Sequence, residues 1–292
     1  MPRVNRAIEL LSQDQSIYYE TTQDLTFEGG KKAAATWADF INVDMEHHPY
    51  DIAGLSKFME GLVSGGPTRS GHRVPAVVVV LPVTAKEEYI VRANAWMFAQ
   101  VLCAGVHGIL MTHCNSPAAV RAFVESCRYP FNTAGVGRGL GEGQRGSGGQ
   151  ARAAAIWGVD VPEYLKKADP WPLNPEGELL LGLKIENRHA LQYAEVLCKI
   201  PGIAFAEWGP GDMGMSMGYP DAHDPPYPDE MWAARNRVFA ATRSAGIAFL
   251  EGMTAENVAQ KIDEGVRISS TARGGAELAE IGRRYSKRQM PW

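Results

Sequence analysis

A closed (β/α)8 barrel is the fold class this sequence predicts, and three observations carry it. Eight short apolar runs of strand length recur along the 292 residues. Helical periodicity fills most of the gaps between them. The clearest run, residues 75–81, is continuous apolar sequence with no polar face, as a strand covered on both sides requires. Barrels of this class commonly run to about 250 residues, and no composition shift marks a boundary, so residues 1–292 read as a single (β/α)8 barrel domain.

In order, an amphipathic start at 5–11 precedes a first strand at 16–19 and a second at 40–43, which runs straight into Asp44, Met45, Glu46, His47, His48 and Pro49. A helix at 52–62 and a Gly/Ser-rich loop at 64–71 lead to the third strand, 75–81. Residues 86–104 read as a helix with Ile90, Ala93, Met97 and Val101 near one face. The fourth strand, 108–111, ends at Thr112, His113 and Cys114, and a helix follows at 117–127. Residues 132–149 are glycine-dominated and read as a mobile loop; a phosphate cradle is disfavoured, because no strong strand precedes the GxGxxG match and no acid closes the dinucleotide pattern. Strands at 179–186, 203–208, 247–250 and 266–269, with helices at 190–198, 232–244 and 255–264, complete the eight.

Net charge is -4 and the isoelectric point about 6.0, with both signs interspersed, so neither a nucleic-acid footprint nor a membrane-binding face is expected. The four cysteines, Cys103, Cys114, Cys127 and Cys198, form no CxxC pair and are expected to be reduced. With no transmembrane-length apolar run, the expectation is a soluble cytoplasmic protein acting on small molecules.

The chemistry-bearing residues sit where strands end. In a parallel barrel, function gathers at the carboxyl-terminal rim. Glu186 ends one apolar run and Asp212 follows the next. Two acidic side chains meeting there suit a hard divalent cation such as Mg²⁺ or Mn²⁺; the alternative is that Glu186 caps a helix and Asp212 occupies a Gly-rich turn. Asp44, Glu46 and His47 follow the second strand, and His47 would supply a proton acceptor near neutral pH. His48, His113 and Glu207 are further polar residues near strand ends. Lys184 lies two residues before Glu186, hence on the same strand face.

Four segments carry a resemblance: VDMEHHP at 43–49, CRYPFNTAGVGRG at 127–139, LKIENRHAL at 183–191 and GPGDMGMSMGYP at 209–220. They resemble the metal-dependent 4-hydroxy-2-oxoheptanedioate aldolase family of HpcH/HpaI type, within the phosphoenolpyruvate/pyruvate barrel superfamily. The resemblance implies that Glu186 and Asp212 bind the divalent metal, that His47 handles the substrate hydroxyl proton, and that the N–H groups of Gly211 and Asp212 hold the carboxylate of a 2-oxo acid. It implies a carbon–carbon lyase cleaving a hydroxylated 2-oxo acid into a pyruvate-like 2-oxo acid and an aldehyde. It also implies a homohexamer with an exchanged C-terminal helix, for which 276–285 is a plausible segment.

The chain departs from that pattern at three positions. Where the family has an arginine before a proline at the end of strand three, supporting substrate, this chain has Leu81. Where it has an aspartate partnering the histidine, an ungapped reading gives Cys103. Where it has a glutamine before the metal glutamate, this chain has Lys184. Lys184 either replaces the lost arginine's charge as a catalytic electrostatic stabiliser or pairs structurally with Asp44 or Glu46. Decarboxylation of an oxaloacetate-like acid, or a metal-binding barrel with altered or lost aldolase activity, are the rival readings.

Overall fold

The computed structural model describes residues 3–270 and 274–291. Its strands are β1 (Ile17–Thr22), β2 (Phe40–Asp44), β3 (Ala76–Thr84), β4 (Gly108–Thr112), β5 (Pro170–Trp171), β6 (Leu179–Lys184), β7 (Phe205–Glu207), β8 (Ala248–Leu250) and β9 (Ile268–Ser270). All pairings between them are parallel, β1 joins β9, and β4 joins β6, so the ring closes. β5 is a two-residue addition beside β6 at Leu179 and Leu180, and the other eight strands make the barrel.

Strand alternation sorts the core into two layers. On β3, Ala76, Val78 and Val80 belong to the inner cluster with Phe40, Leu110, Leu180 and Phe205, while Val77, Val79 and Leu81 pack outward among the helices. Gly182 is needed inside: a Cβ there would meet the Phe205 ring at 2.1 Å. The helix Arg6–Ser12, capped by the Asn5 side chain, contributes Ala7, Ile8 and Leu10 to the inner cluster and so closes the amino-terminal end of the barrel.

Several expected helices differ in detail. The stretch 86–104 is two helices, Glu88–Ala93 and Ala95–Cys103, broken at Asn94, whose side-chain amide donates to Ile90 O. Helices Phe27–Ala33, Gln150–Trp157, Val161–Lys167 and Pro210–Met217 were not expected. The glycine-rich stretch is tied down: Gly141 N–H donates to Glu125, Arg145 N–H to Arg128 O, and the buried Arg145 guanidinium lies 4.2 Å over the Tyr129 ring.

The C-terminal helix Gly275–Tyr285 packs beside β1, with Gly282 against Tyr18. The anchor is Asp39, just before β2 and fully buried. Its carboxylate accepts from Arg6 Nη2 at 3.3 Å, Arg283 Nη2 at 3.2 Å, Arg288 at 2.7 and 3.0 Å, and the Tyr18 N–H at 3.0 Å. Both chain ends are thereby fastened to the barrel floor. Among the described residues, no helix is long and apolar enough to cross a membrane.

Candidate active site

The carboxyl-terminal ends of β2, β4, β6 and β7, with the helix Pro210–Met217, converge on one cluster. Glu46, His113, Glu186 and Asp212 each bring a ligand atom within 4.8 Å of the others, and Asp44, Glu46 and His47 form a second group sharing Glu46. Beside them is a cavity of about 400 Å³ lined by His47, Lys184, Glu186, Glu207, Gly211 and Asp212, with Met215, Pro220 and His223 among the residues completing it.

Glu186, 1 % exposed, accepts the His113 N–H at 2.9 Å, and the His113 ring Nδ1 lies 3.3 Å from the same oxygen. His113 has a left-handed backbone, φ 46°, uncommon for a non-glycine residue and a mark of a site that dictates its geometry. Gly209 is small by necessity, since a Cβ there would stand 2.9 Å from Glu186 Oε2. Asp212 falls in the first turn of its helix, so the N–H groups of Gly211 and Asp212 are among the initial amides that no helical carbonyl accepts and that favour an anion.

Lys184 reaches into the site and places Nζ 2.5 Å from Glu46 Oε2. Burial disfavours its charge, but Glu207, Glu186 and Glu46 together raise its pKa well above the ordinary lysine value. Burial pushes the Glu186 carboxyl up to about 8, with Lys184 opposing and Glu46 adding to the shift. Glu207 is also raised, chiefly by burial, and its Oε2 is buried without a hydrogen-bond partner. Carboxylates desolvated and crowded in this way hold their charge only with a cation among them. The donor set, three carboxylates and an imidazole beside an orphaned carboxylate oxygen, therefore fits a divalent metal.

His47 is exposed, and its Nδ1 lies 2.8 Å from Asp44 Oδ2, while Asp44 Oδ1 accepts the N–H groups of Glu46 and His47. Burial works to raise the Asp44 pKa, but the hydrogen bonds from His47 and Glu46 outweigh it and hold the carboxyl below its ordinary value. An imidazole oriented through Nδ1 leaves Nε2 for proton transfer. The carboxylate beside the His47 ring is therefore Asp44, three residues before it, and the position of Cys103 lies elsewhere.

Two of the residues singled out from sequence lie elsewhere. Leu81 is fully buried in the outward-facing layer, because the inward positions of β3 are Val78 and Val80. It does not line the cavity. Cys103 borders a different hollow, with Lys57 and Ser147, and its thiol is 3.4 Å from Gly148 O. Conversely, Glu46 and His113 join the ligand cluster with an intimacy that their positions after strand ends only hinted at.

Residues 69–279 match the HpcH/HpaI aldolase/citrate lyase family. A 2-keto-3-deoxy-L-rhamnonate aldolase of Klebsiella pneumoniae is 28 % identical over 228 residues, covering 77 % of this chain and 71 % of the relative. The fold is similar to that of an HpcH/HpaI aldolase/citrate lyase family protein from Burkholderia cenocepacia J2315, with a TM-score of 0.70 at 21 % identity over 96 % of this chain and 97 % of the other. It is also similar to the citrate lyase beta subunit of M. tuberculosis, solved with oxaloacetate and magnesium, with a TM-score of 0.54 at 11 % identity over 93 % and 96 % of the two chains. Identities this low speak to the fold alone.

Proposed function

The chain belongs to the HpcH/HpaI aldolase/citrate lyase family, and from that premise we propose a retro-aldol reaction carried by Glu186, Asp212 and the His47–Asp44 pair. The enzyme is a metal-dependent carbon–carbon lyase cleaving a hydroxylated 2-oxo acid to a pyruvate-like acid and an aldehyde. The observation that carries the residue roles is the convergence of Glu46, His113, Glu186 and Asp212 within 4.8 Å beside a histidine oriented by an aspartate.

Glu186 and Asp212, with Glu46 and His113 adjoining, would hold the cation, which we infer to be Mg²⁺ or Mn²⁺ because oxygen donors dominate. When bound, the cation would supply positive charge that stabilises the electron-rich 2-oxo acid fragment. The Gly211 and Asp212 amides receive the substrate carboxylate at the helix N-terminus. His47 Nε2 takes the proton of the C4 hydroxyl; the C3–C4 electron pair moves to the 2-oxo acid fragment as the new carbonyl forms, and the aldehyde leaves. That fragment then accepts a proton at C3 to give pyruvate. Asp44 stabilises the imidazolium formed in between.

We infer that Lys184 favours the electron-rich fragment, in the role the resemblance gives to an arginine; its ammonium beside Glu46 in the cavity supports this reading. Oxaloacetate decarboxylation needs the same cation but no hydroxyl proton acceptor, so the His47–Asp44 pair favours the aldol reading. Metal-loaded protein should release pyruvate from 4-hydroxy-2-oxo acids faster than from oxaloacetate; release from oxaloacetate alone would make it a decarboxylase, and release from neither would leave a binding protein. We further infer a cytoplasmic homohexamer from the family resemblance. A monomer in sedimentation at working concentration would refute that assembly.

A further inference from the structure

We propose that the aldehyde half of the substrate carries no ionised group, so that the enzyme selects neutral-tailed 4-hydroxy-2-oxo acids against those ending in a carboxylate or phosphate. This rests on the retro-aldol reading and concerns the side of the same cavity that the reacting atoms leave vacant.

Charge is the first argument. Around the site stand Asp44, Glu46, Glu186, Glu207 and Asp212, five carboxylates, against one ammonium, Lys184. A divalent cation leaves that formal sum of -4 at -2, and the substrate's own carboxylate makes it -3. Among the described residues, Lys184 is the only lysine or arginine lining the cavity, and it is engaged 2.5 Å from Glu46. A second anionic group on the substrate would find like charge nearby and no cation to receive it, which is the arrangement that rejects a ligand. Lys86 and Arg188 are exposed near the same rim but do not line the cavity.

The remaining lining is the second argument. Beyond the residues given roles above, the cavity lining includes Met215, Pro220 and His223, an apolar thioether, a proline ring and an imidazole. Met215 is 66 % exposed, unusual for so apolar a side chain at the mouth of so acidic a cavity. A methyl or methylene of the tail would cover it, and His223, beside Asp224 at 3.3 Å, can meet a hydroxyl. The cavity, about 400 Å³, has room for such a tail beside the reacting atoms.

The test separates this inference from the reading beneath it by measuring binding as well as turnover. Metal-loaded protein is titrated calorimetrically with 2-oxopentanoate and with 2-oxoglutarate, which share chain length and differ in the terminal carboxylate. In parallel, kcat/KM for pyruvate release is measured on 4-hydroxy-2-oxo acids of matched length ending in methyl, hydroxymethyl or carboxylate. The neutral member should bind at least about tenfold more tightly and the neutral substrates should turn over correspondingly better. Met215→Arg, outside the reacting groups, should raise binding and turnover of the carboxylate-ended compounds and narrow the preference. Equal or tighter binding of 2-oxoglutarate by the unmodified protein, with pyruvate still released, overturns the neutral tail and leaves the aldolase intact. A neutral preference in binding without pyruvate from any substrate upholds the selectivity and overturns the reaction.

Discussion

The two ends of the barrel hold charge clusters of opposite make-up. At the floor one carboxylate, Asp39, faces three arginines; at the rim one ammonium, Lys184, bonds Glu46 with Glu186 and Glu207 close enough to hold its charge. Both are buried and both are unbalanced, yet they resolve the imbalance differently. The floor's surplus positive charge goes to backbone carbonyls: Arg6 donates to Ala38 O, Arg283 to Trp37 O and Arg288 to Ser16 O. At the rim no such absorption occurs, since carboxylates cannot donate, and Glu207 Oε2 has no partner. The floor also leaves Arg6 Nε and Arg288 Nε buried without a partner, so the difference lies in sign: surplus guanidinium groups can donate to the chain's own carbonyls, whereas surplus carboxylates call for a cation from outside.

The largest expected effect breaks the rim. Glu186→Ala and Asp212→Ala should each abolish bound Mg²⁺ or Mn²⁺ and all lyase activity, because too few oxygens remain to hold the ion. Elemental analysis of the purified variants decides it: metal content unchanged in both would remove these residues from the ligand set.

Breaking the floor should leave chemistry alone and cost stability. Asp39→Asn strips three buried guanidinium groups of the carboxylate they share, a loss on the order of 3–5 kcal/mol. Thermal unfolding should move down by roughly 10 °C, while activity per folded molecule at 25 °C stays near that of the unmodified protein. Loss of kcat without a change in melting temperature would mean that the floor communicates with the rim.

Lys184→Met sharpens the comparison by removing the one lysine or arginine that lines the cavity among the described residues and keeping its stem. If the ammonium acts on the electron-rich fragment, kcat should fall about 10²-fold with metal retained. Full kcat, with only a lowered melting temperature, would make the Lys184–Glu46 pair a fastening like that of the floor.

How far the sequence foretold all this follows from the range of the forces involved. The barrel was legible because strand and helix periods are local properties, and all eight expected strands overlap strands of the ring. That Glu186, Asp212 and His47 meet around one cavity was legible because each sits in a distinctive segment beside a strand end. The Asp44–His47 contact was not, although three residues separate the partners, because it depends on the turn the chain takes after β2. Leu81 was misplaced for the opposite reason: a position aligned by motif carries no information on which face of β3 it occupies, and the alternation that turns Leu81 outward was there to be read in Val78 and Val80. The floor went unnoticed because Arg6, Asp39, Arg283 and Arg288 come from both chain ends and meet only in the folded barrel.

The smallest expected effect concerns the floor's response to acid. His107, just before β4, is fully buried and stacked on Trp157, and its Nδ1 accepts the Val77 N–H at 3.2 Å. Burial, with His72 adding to it, depresses its pKa from 6.5 to about 3. Between those values the unfolded chain binds a proton that the folded chain refuses. Stability from this residue is therefore complete above pH 6.5 and declines as pH falls toward 3. At pH 5 the loss is about 2 kcal/mol, taking 1.36 kcal/mol per pH unit. His107→Phe keeps an aromatic ring for Trp157 and removes the titrating group, so its stability should fall less between pH 7 and pH 5 than that of the unmodified protein, even if its value at pH 7 is lower. Denaturant midpoints at the two pH values measure this directly. Parallel declines in the two proteins would assign the acid sensitivity to other groups, Asp39 not among them until the pH nears the carboxylate range, since its arginines hold its pKa below the usual value against the opposing effect of burial.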